Sequence, residues 1–125
     1  MNKIMLSLCL WFGLSFSWLH SQSVNLDSFQ SIQLMSLEDC AVVQVNASWN
    51  YKNRLNINKL EDCYLAEVDL SNKTIGAVIQ SEWNIKVVPT IIIFENGKEV
   101  KRFEPGISMK FDERTVLESI RKEIK

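Results

Sequence analysis

The chain of 125 residues, 46% hydrophobic and 23% charged, has the length and balance of one globular domain with enough apolar material for a core, which excludes an extended disordered protein. With 14 basic against 15 acidic side chains there is no cationic excess, so a sequence-independent grip on nucleic acid is excluded. The one histidine is His20, and a chain that sheds it has no usual base for Ser-His-Asp or Cys-His catalysis and only cysteine and carboxylate to offer zinc.

Lys3 is followed by an uncharged, largely apolar run from Ile4 to Leu19 and then by small polar residues, the order of a secretory signal peptide. Residues 1–21 are expected to be removed, with cleavage after Ser21 or Ser23, and residues 22–125 to form the mature domain. The run is shorter than the roughly 20 residues a spanning helix needs, and Cys9 lacks the small-residue setting of a lipoprotein site. Export to the periplasm or the medium follows, with no membrane attachment after cleavage. Loss of Lys3 leaves 13 basic against 15 acidic groups.

Ser28, Phe29, Ile32, Leu34, Met35 and Leu37 give residues 28–37 the spacing of an amphipathic helix, with Asp27 or Ser28 as N-cap. Residues 41–47 are the short β-branched run of a strand buried on both faces. Leu55, Ile57 and Leu60 give residues 50–60 a loosely helical spacing, interrupted by asparagines. Residues 64–70 read as the next strand. Ile75, Val78, Ile79 and Trp83 form a helical stripe over residues 73–84 that faces the core. Residues 90–94 and 99–103 are strands joined across Glu95-Asn96-Gly97-Lys98, and the Asn-Gly pair signals a tight hairpin. Lys98, Lys101 and Arg102 read as its solvated face, and Phe94 and Trp83 as core. Asp112 caps a last helix that buries Val116, Leu117, Ile120 and Ile124. The class is α/β, a mixed central sheet of four to five strands with helices on both faces.

This order of elements, together with two local sequences, resembles the thioredoxin family over essentially the whole mature chain. Val87-Val88-Pro89-Thr90, the apolar strand after it, Asn96-Gly97-Lys98 and Gly106 are similar to that family's cis-proline loop, hairpin and following glycine. Ala47-Ser48-Trp49 is similar to the Ala-x-Trp that ends the central strand before the redox motif. Where the family places Cys-x-x-Cys at a helix N-terminus to stabilise a thiolate, this sequence has Asn50-Tyr51-Lys52-Asn53. Gln44 stands where redox-active members often keep a buried Asp. The stretch between Trp49 and Asp69 is short for the family's long first helix after the motif.

The resemblance implies that residues 41–47 and 64–70 are parallel neighbours entered at the same end, which would set Cys40 and Cys63 about 5 Å apart and within disulfide reach. A structural disulfide is the first reading; a relocated redox pair and two free thiols are the others. The resemblance also implies a cis bond before Pro89 and a shallow apolar surface of Trp49, Tyr51, Val88 and Pro89 that could hold an extended polypeptide. Two functions are therefore expected: a non-catalytic protein- or peptide-binding module, or a thiol-disulfide oxidoreductase or isomerase using Cys40 and Cys63. Of the two glycosylation sequons, Asn46-Ala47-Ser48 lies in an expected buried strand, which leaves Asn72-Lys73-Thr74. Glu38, Asp39, Glu61 and Asp62 have no calcium-loop spacing, and nothing in the sequence calls for a metal or cofactor.

Overall fold

Residues 22–124 are described by the structure, a computed structural model; the expected leader over residues 1–21, with Cys9 and His20, lies outside the described residues. Five strands form one sheet: β1 (Val24–Asn25), β2 (Cys40–Asn46), β3 (Tyr64–Asp69), β4 (Thr90–Glu95) and β5 (Lys98–Phe103), in the order β1-β3-β2-β4-β5. β1, β3 and β2 are parallel, whereas β4 is antiparallel to β2 and β5 to β4. Helices α1 (Phe29–Ser36) and α2 (Gly76–Glu82) cover one face, and α3 (Glu113–Glu123) covers the other. The mixed sheet and its two helical layers are those read from the sequence.

The continuous apolar runs of β2 and β4 follow from this layering, because both strands are central and both of their faces are covered. Val43, Val45 and Ile92 face Met35, Ile75 and Ile79 on the α1 and α2 side. Val42, Ile91 and Ile93 face Leu55, Ile57, Leu60, Leu117 and Ile120 on the other. The β4-β5 turn places Asn96 at φ 51° and Gly97 at φ 81°, the positive pair that a tight hairpin demands. Trp83 packs on Phe94 with ring centroids 5.2 Å apart.

The structure departs from the sequence reading in several places. β1 was not foreseen; it pairs with β3 through Val24 and Asn25 only. In α1, Ser28 is the N-cap and completes a capping box with Ser31, but Met35 alone is buried and Ile32 partly so, while Phe29, Leu34 and Leu37 are exposed. A two-turn helix lying on one sheet face meets it along a single line. The helix loosely expected over residues 50–60 is instead two 3-10 turns, Ser48–Asn53 and Ile57–Lys59. Its asparagines offer the backbone other partners: Asn56 Oδ1 accepts from Asn58 N–H at 3.2 Å, and such local bonds compete with a helix.

The helix expected over residues 73–84 contracts to α2, and Val78 is exposed rather than core-facing. Asn72 Oδ1 accepts from Thr74 and Ile75 N–H before the helix, and Asn84 at φ 51° ends it. A Cβ at Gly76 would strike the Leu70 carbonyl, so only glycine lets α2 start hard against the end of β3. Arg102 is not merely solvated: its guanidinium donates to the Trp83 carbonyl at 2.6 Å and the Asn84 carbonyl at 3.0 Å, clamping the C-terminal end of α2 to β5. Asp112 stands at the N-cap of α3, yet its carboxylate accepts from the Thr115 hydroxyl at 2.9 Å and from no backbone N–H.

Candidate functional site

Three parallel strands deliver their C-terminal ends to one rim of the sheet, and the chain leaves them in different directions. β1 and β3 lead to α1 and α2 on one face, whereas β2 leads into the Ser48–Asn53 turn and on to Leu55, Ile57 and Leu60 on the other. Trp49 and its four followers sit where that divergence begins. Trp49 is 70% exposed and Tyr51 62% exposed, but Asn50 is buried at 6%.

Asn50 is turned inward because its amide is matched. Asn50 Nδ2 donates to Asn46 Oδ1 at 3.2 Å, Asn46 Nδ2 donates back to the Asn50 carbonyl at 3.2 Å, and Asn53 Nδ2 donates to Asn50 Oδ1 at 2.7 Å. The positions that correspond to the two sulfurs are thus the inner and outer members of an amide network, and neither offers a nucleophile. Asn46 in the first sequon is buried and belongs to this network.

Gln44 completes the rim from below. It is fully buried; its Oε1 accepts from Leu55 N–H at 2.8 Å and its Nε2 donates to the Leu55 carbonyl at 2.8 Å and to Glu67 Oε1 at 3.2 Å. Where a carboxyl group would exchange protons, this side chain clasps both polar groups of one backbone residue. Glu67 is further held by Arg54 at 3.3 Å and by the Ser23 hydroxyl at 2.7 Å.

The Val88–Pro89 bond is cis, and the Thr90 hydroxyl donates to the Val87 carbonyl at 2.7 Å. Val88 and Trp49 line one groove of about 300 Å³, whose other walls include Leu70, Ile85 and Met109. Pro89 and Thr90 are buried behind it. Tyr51 does not join this surface: it lies under the Arg54 guanidinium, 4.8 Å from ring centroid to carbon, and lines a larger cleft of about 650 Å³ on the β1 and β3 side, whose wall mixes polar and apolar groups. The single apolar surface expected from Trp49, Tyr51, Val88 and Pro89 is therefore divided, because the 3-10 turn points residues 49 and 51 to opposite sides. Lys52 is exposed and lines neither hollow. Met109, at φ 57°, had no sequence signal linking it to the groove that Trp49 lines; only folding brings it to that wall.

Cys40 and Cys63 are joined in a disulfide with Cα atoms 5.0 Å apart. They precede the paired residues Ala41 and Tyr64 at the N-terminal ends of β2 and β3, so the full length of the strands separates them from Trp49. Cys63 is only 9% exposed. Among the described residues no group of three His, Cys, Asp or Glu side chains could hold a metal ion.

Asp69 at the end of β3 is a rim carboxylate held in its ionised form by its neighbours. Burial pushes its pKa up, but the Ser48 hydroxyl, donating at 2.6 Å, and the Ser71 N–H, at 2.8 Å, outweigh that and hold it below the ordinary 3.8. A lowered carboxylate pKa contributes stability above the unfolded value that is lost as pH falls through the folded one. Carboxyl-detected NMR should place the Asp69 midpoint below 3.8, and Ser48→Ala should move it up; an unchanged midpoint in that variant would contradict the assignment.

No protein-family model matches the chain, and no curated protein matches it. Solved structures do. A thioredoxin from Trypanosoma brucei brucei superposes with a TM-score of 0.65 at 19% identity, covering 86% of this chain and 95% of its own. A mutant thioredoxin from Halobacterium salinarum gives 0.67 at 14% identity, covering 85% and 94%. The thioredoxin of Schistosoma mansoni gives 0.63 at 17% identity, covering 85% and 98%. At these identities the likeness establishes a thioredoxin-like fold and leaves the activity to the residues themselves.

Proposed function

We propose that this thioredoxin-fold chain is an exported, non-catalytic module that binds an extended polypeptide in the groove between Trp49 and Val88. The observation that carries the reading is the combination at one rim of an exposed Trp49 beside the Val88–Pro89 loop with an inward, fully bonded Asn50 in place of a thiol. A large aromatic side chain beside a groove walled by Leu70, Ile85 and Val88 is the usual anchor of a peptide contact, and binding there needs no sulfur. Exchange at Cys40–Cys63 is disfavoured because Cys63 is buried and lies at the opposite end of the strands.

The test pairs two assays. Insulin reduction in dithiothreitol should stay at background for wild type and for Cys40→Ser, while labelled extended peptides should bind and lose affinity at least about tenfold on Trp49→Ala. Turnover that disappears with Cys40→Ser would transfer the function to the cysteine pair.

The hydrogen bonds of Ser23 bear on where the expected leader would be cut. Ser23 donates its N–H to Asn58 Oδ1 at 2.7 Å and its hydroxyl to Glu67 at 2.7 Å. Cleavage after Ser21 keeps both bonds, whereas cleavage after Ser23 removes them. The intact mass of the exported protein is accordingly expected to begin at Gln22; a chain beginning at Val24 would refute this choice.

A further inference from the structure

The larger cleft on the β1 and β3 side takes no part in the peptide-binding reading. It opens between the C-terminal ends of β2 and β3, where the chain leaves one strand for one face of the sheet and its parallel neighbour for the other. Open α/β sheets place ligands at such a divergence, because the loops part there and leave a crevice. Its volume of about 650 Å³ falls within the size of small-molecule sites.

The chemistry of its walls narrows the ligand. Among the described residues Arg54 is the one cation lining it, and its charge is held by Glu67 at 3.3 Å and stacked on Tyr51, so an anion would have to displace an existing partner. The uncommitted groups are of both polarities. Asp27, Asn25 and the Tyr51 hydroxyl take no side-chain hydrogen bond among the described residues. Asn72 uses only its Oδ1, leaving Nδ2 to donate. Asp69 accepts one bond on each oxygen and has lone pairs to spare. Hydroxyl groups both donate and accept, so a surface that alternates carboxylate, amide and phenol beside an aromatic ring is complementary to vicinal hydroxyls. Asp27, Glu67 and Asp69 outnumber Arg54 on the lining, so a polyamine is the competing ligand, but it would leave the amide donors to water where a polyol would engage them.

We infer that this cleft binds a neutral, polyhydroxylated small molecule, a saccharide, with Asp27, Asn72 and Tyr51 as its principal contacts. The site shares only Ala47 with the Trp49 groove, and occupancy of one does not require the other.

The test is a backbone-amide NMR titration of the exported protein with maltose, cellobiose and diacetylchitobiose at about millimolar concentration, with spermidine and inorganic phosphate as comparison probes. At least one disaccharide is expected to shift the amides of Asn25, Asp27, Ser48, Tyr51 and Asn72 while leaving those of Val87, Val88 and Met109 in place. Asp27→Ala and Tyr51→Ala, both at exposed positions that leave the core intact, should each weaken that binding about tenfold. The inference is overturned if no disaccharide moves these amides, if spermidine or phosphate moves them and the sugars do not, or if both variants retain full affinity.

Discussion

Gln44→Leu is expected to lower the stability of the folded chain by about 3 kcal/mol, although the new side chain has nearly the same volume. Gln44 is fully buried and answers both the N–H and the carbonyl of Leu55 at 2.8 Å. Leucine would fill the space and leave both backbone groups unpaired, and each such group costs roughly 1–3 kcal/mol. Glu67 would lose one donor but keep Arg54 and Ser23, so its charge remains compensated. Urea denaturation measures the loss as a shift of midpoint at constant slope; a change below about 1 kcal/mol would mean that water replaces the clasp.

Gln44→Glu separates polarity from volume in another way. When ionised, the carboxylate could still accept from Leu55 N–H but would face the Leu55 carbonyl and the Glu67 carboxylate with negative charge. Burial and that neighbour would raise its folded pKa above the unfolded value of about 4.3. The sign then follows: this variant should be nearest to wild type below that unfolded value, where its protonated oxygen can donate to Leu55, and should lose stability as pH rises through the raised folded pKa. A variant equally stable at acidic and neutral pH would contradict this geometry.

Removing the disulfide is expected to have an effect of similar size. Cys40 and Cys63 close a loop with a sequence separation of 23, and the chain-entropy estimate for such a loop is about 3 kcal/mol. The double variant Cys40→Ala with Cys63→Ala should melt about 15 °C lower, given the usual response of a domain near 100 residues. Dithiothreitol should lower the wild-type melting temperature toward the same value and leave the double variant unmoved. If the double variant melts with wild type, the bond does not stabilise the native state.

These two effects concern one segment. Residues 54–63 have no long helix of their own, only the Ile57–Lys59 turn, yet they supply Leu55, Ile57, Leu60 and Cys63 to the core beneath α3. Gln44 holds the segment at Leu55 and the disulfide holds it at Cys63. Where the family resemblance suggested a long helix, this chain has a short connection fastened at both ends. That arrangement also sets Arg54 over Tyr51 and forms a wall of the larger cleft.

The sequence by itself determined the layered α/β class, because β2 and β4 are continuous apolar runs that only a doubly covered sheet can bury, and it determined the hairpin through Asn96-Gly97. It also determined that residues 50–53, directly after Trp49, contain no cysteine. These are local properties, carried by residue type and near-neighbour spacing. Tertiary structure alone decided the rest. β1 is two residues whose pairing partners lie at Ala66 and Glu67, too short to carry a periodicity. Phe29, Leu34 and Leu37 fit a helical stripe yet stay exposed, since the sheet face that α1 meets, not its composition, selects the buried line. The side chain of Gln44 reads as a polar residue in an apolar strand until Leu55 arrives against it, and Tyr51 parts from Trp49 only through the sense of a 3-10 turn. Apart from that local turn, the deciding energy is a contact between residues that are not near neighbours in the chain, which no local pattern encodes.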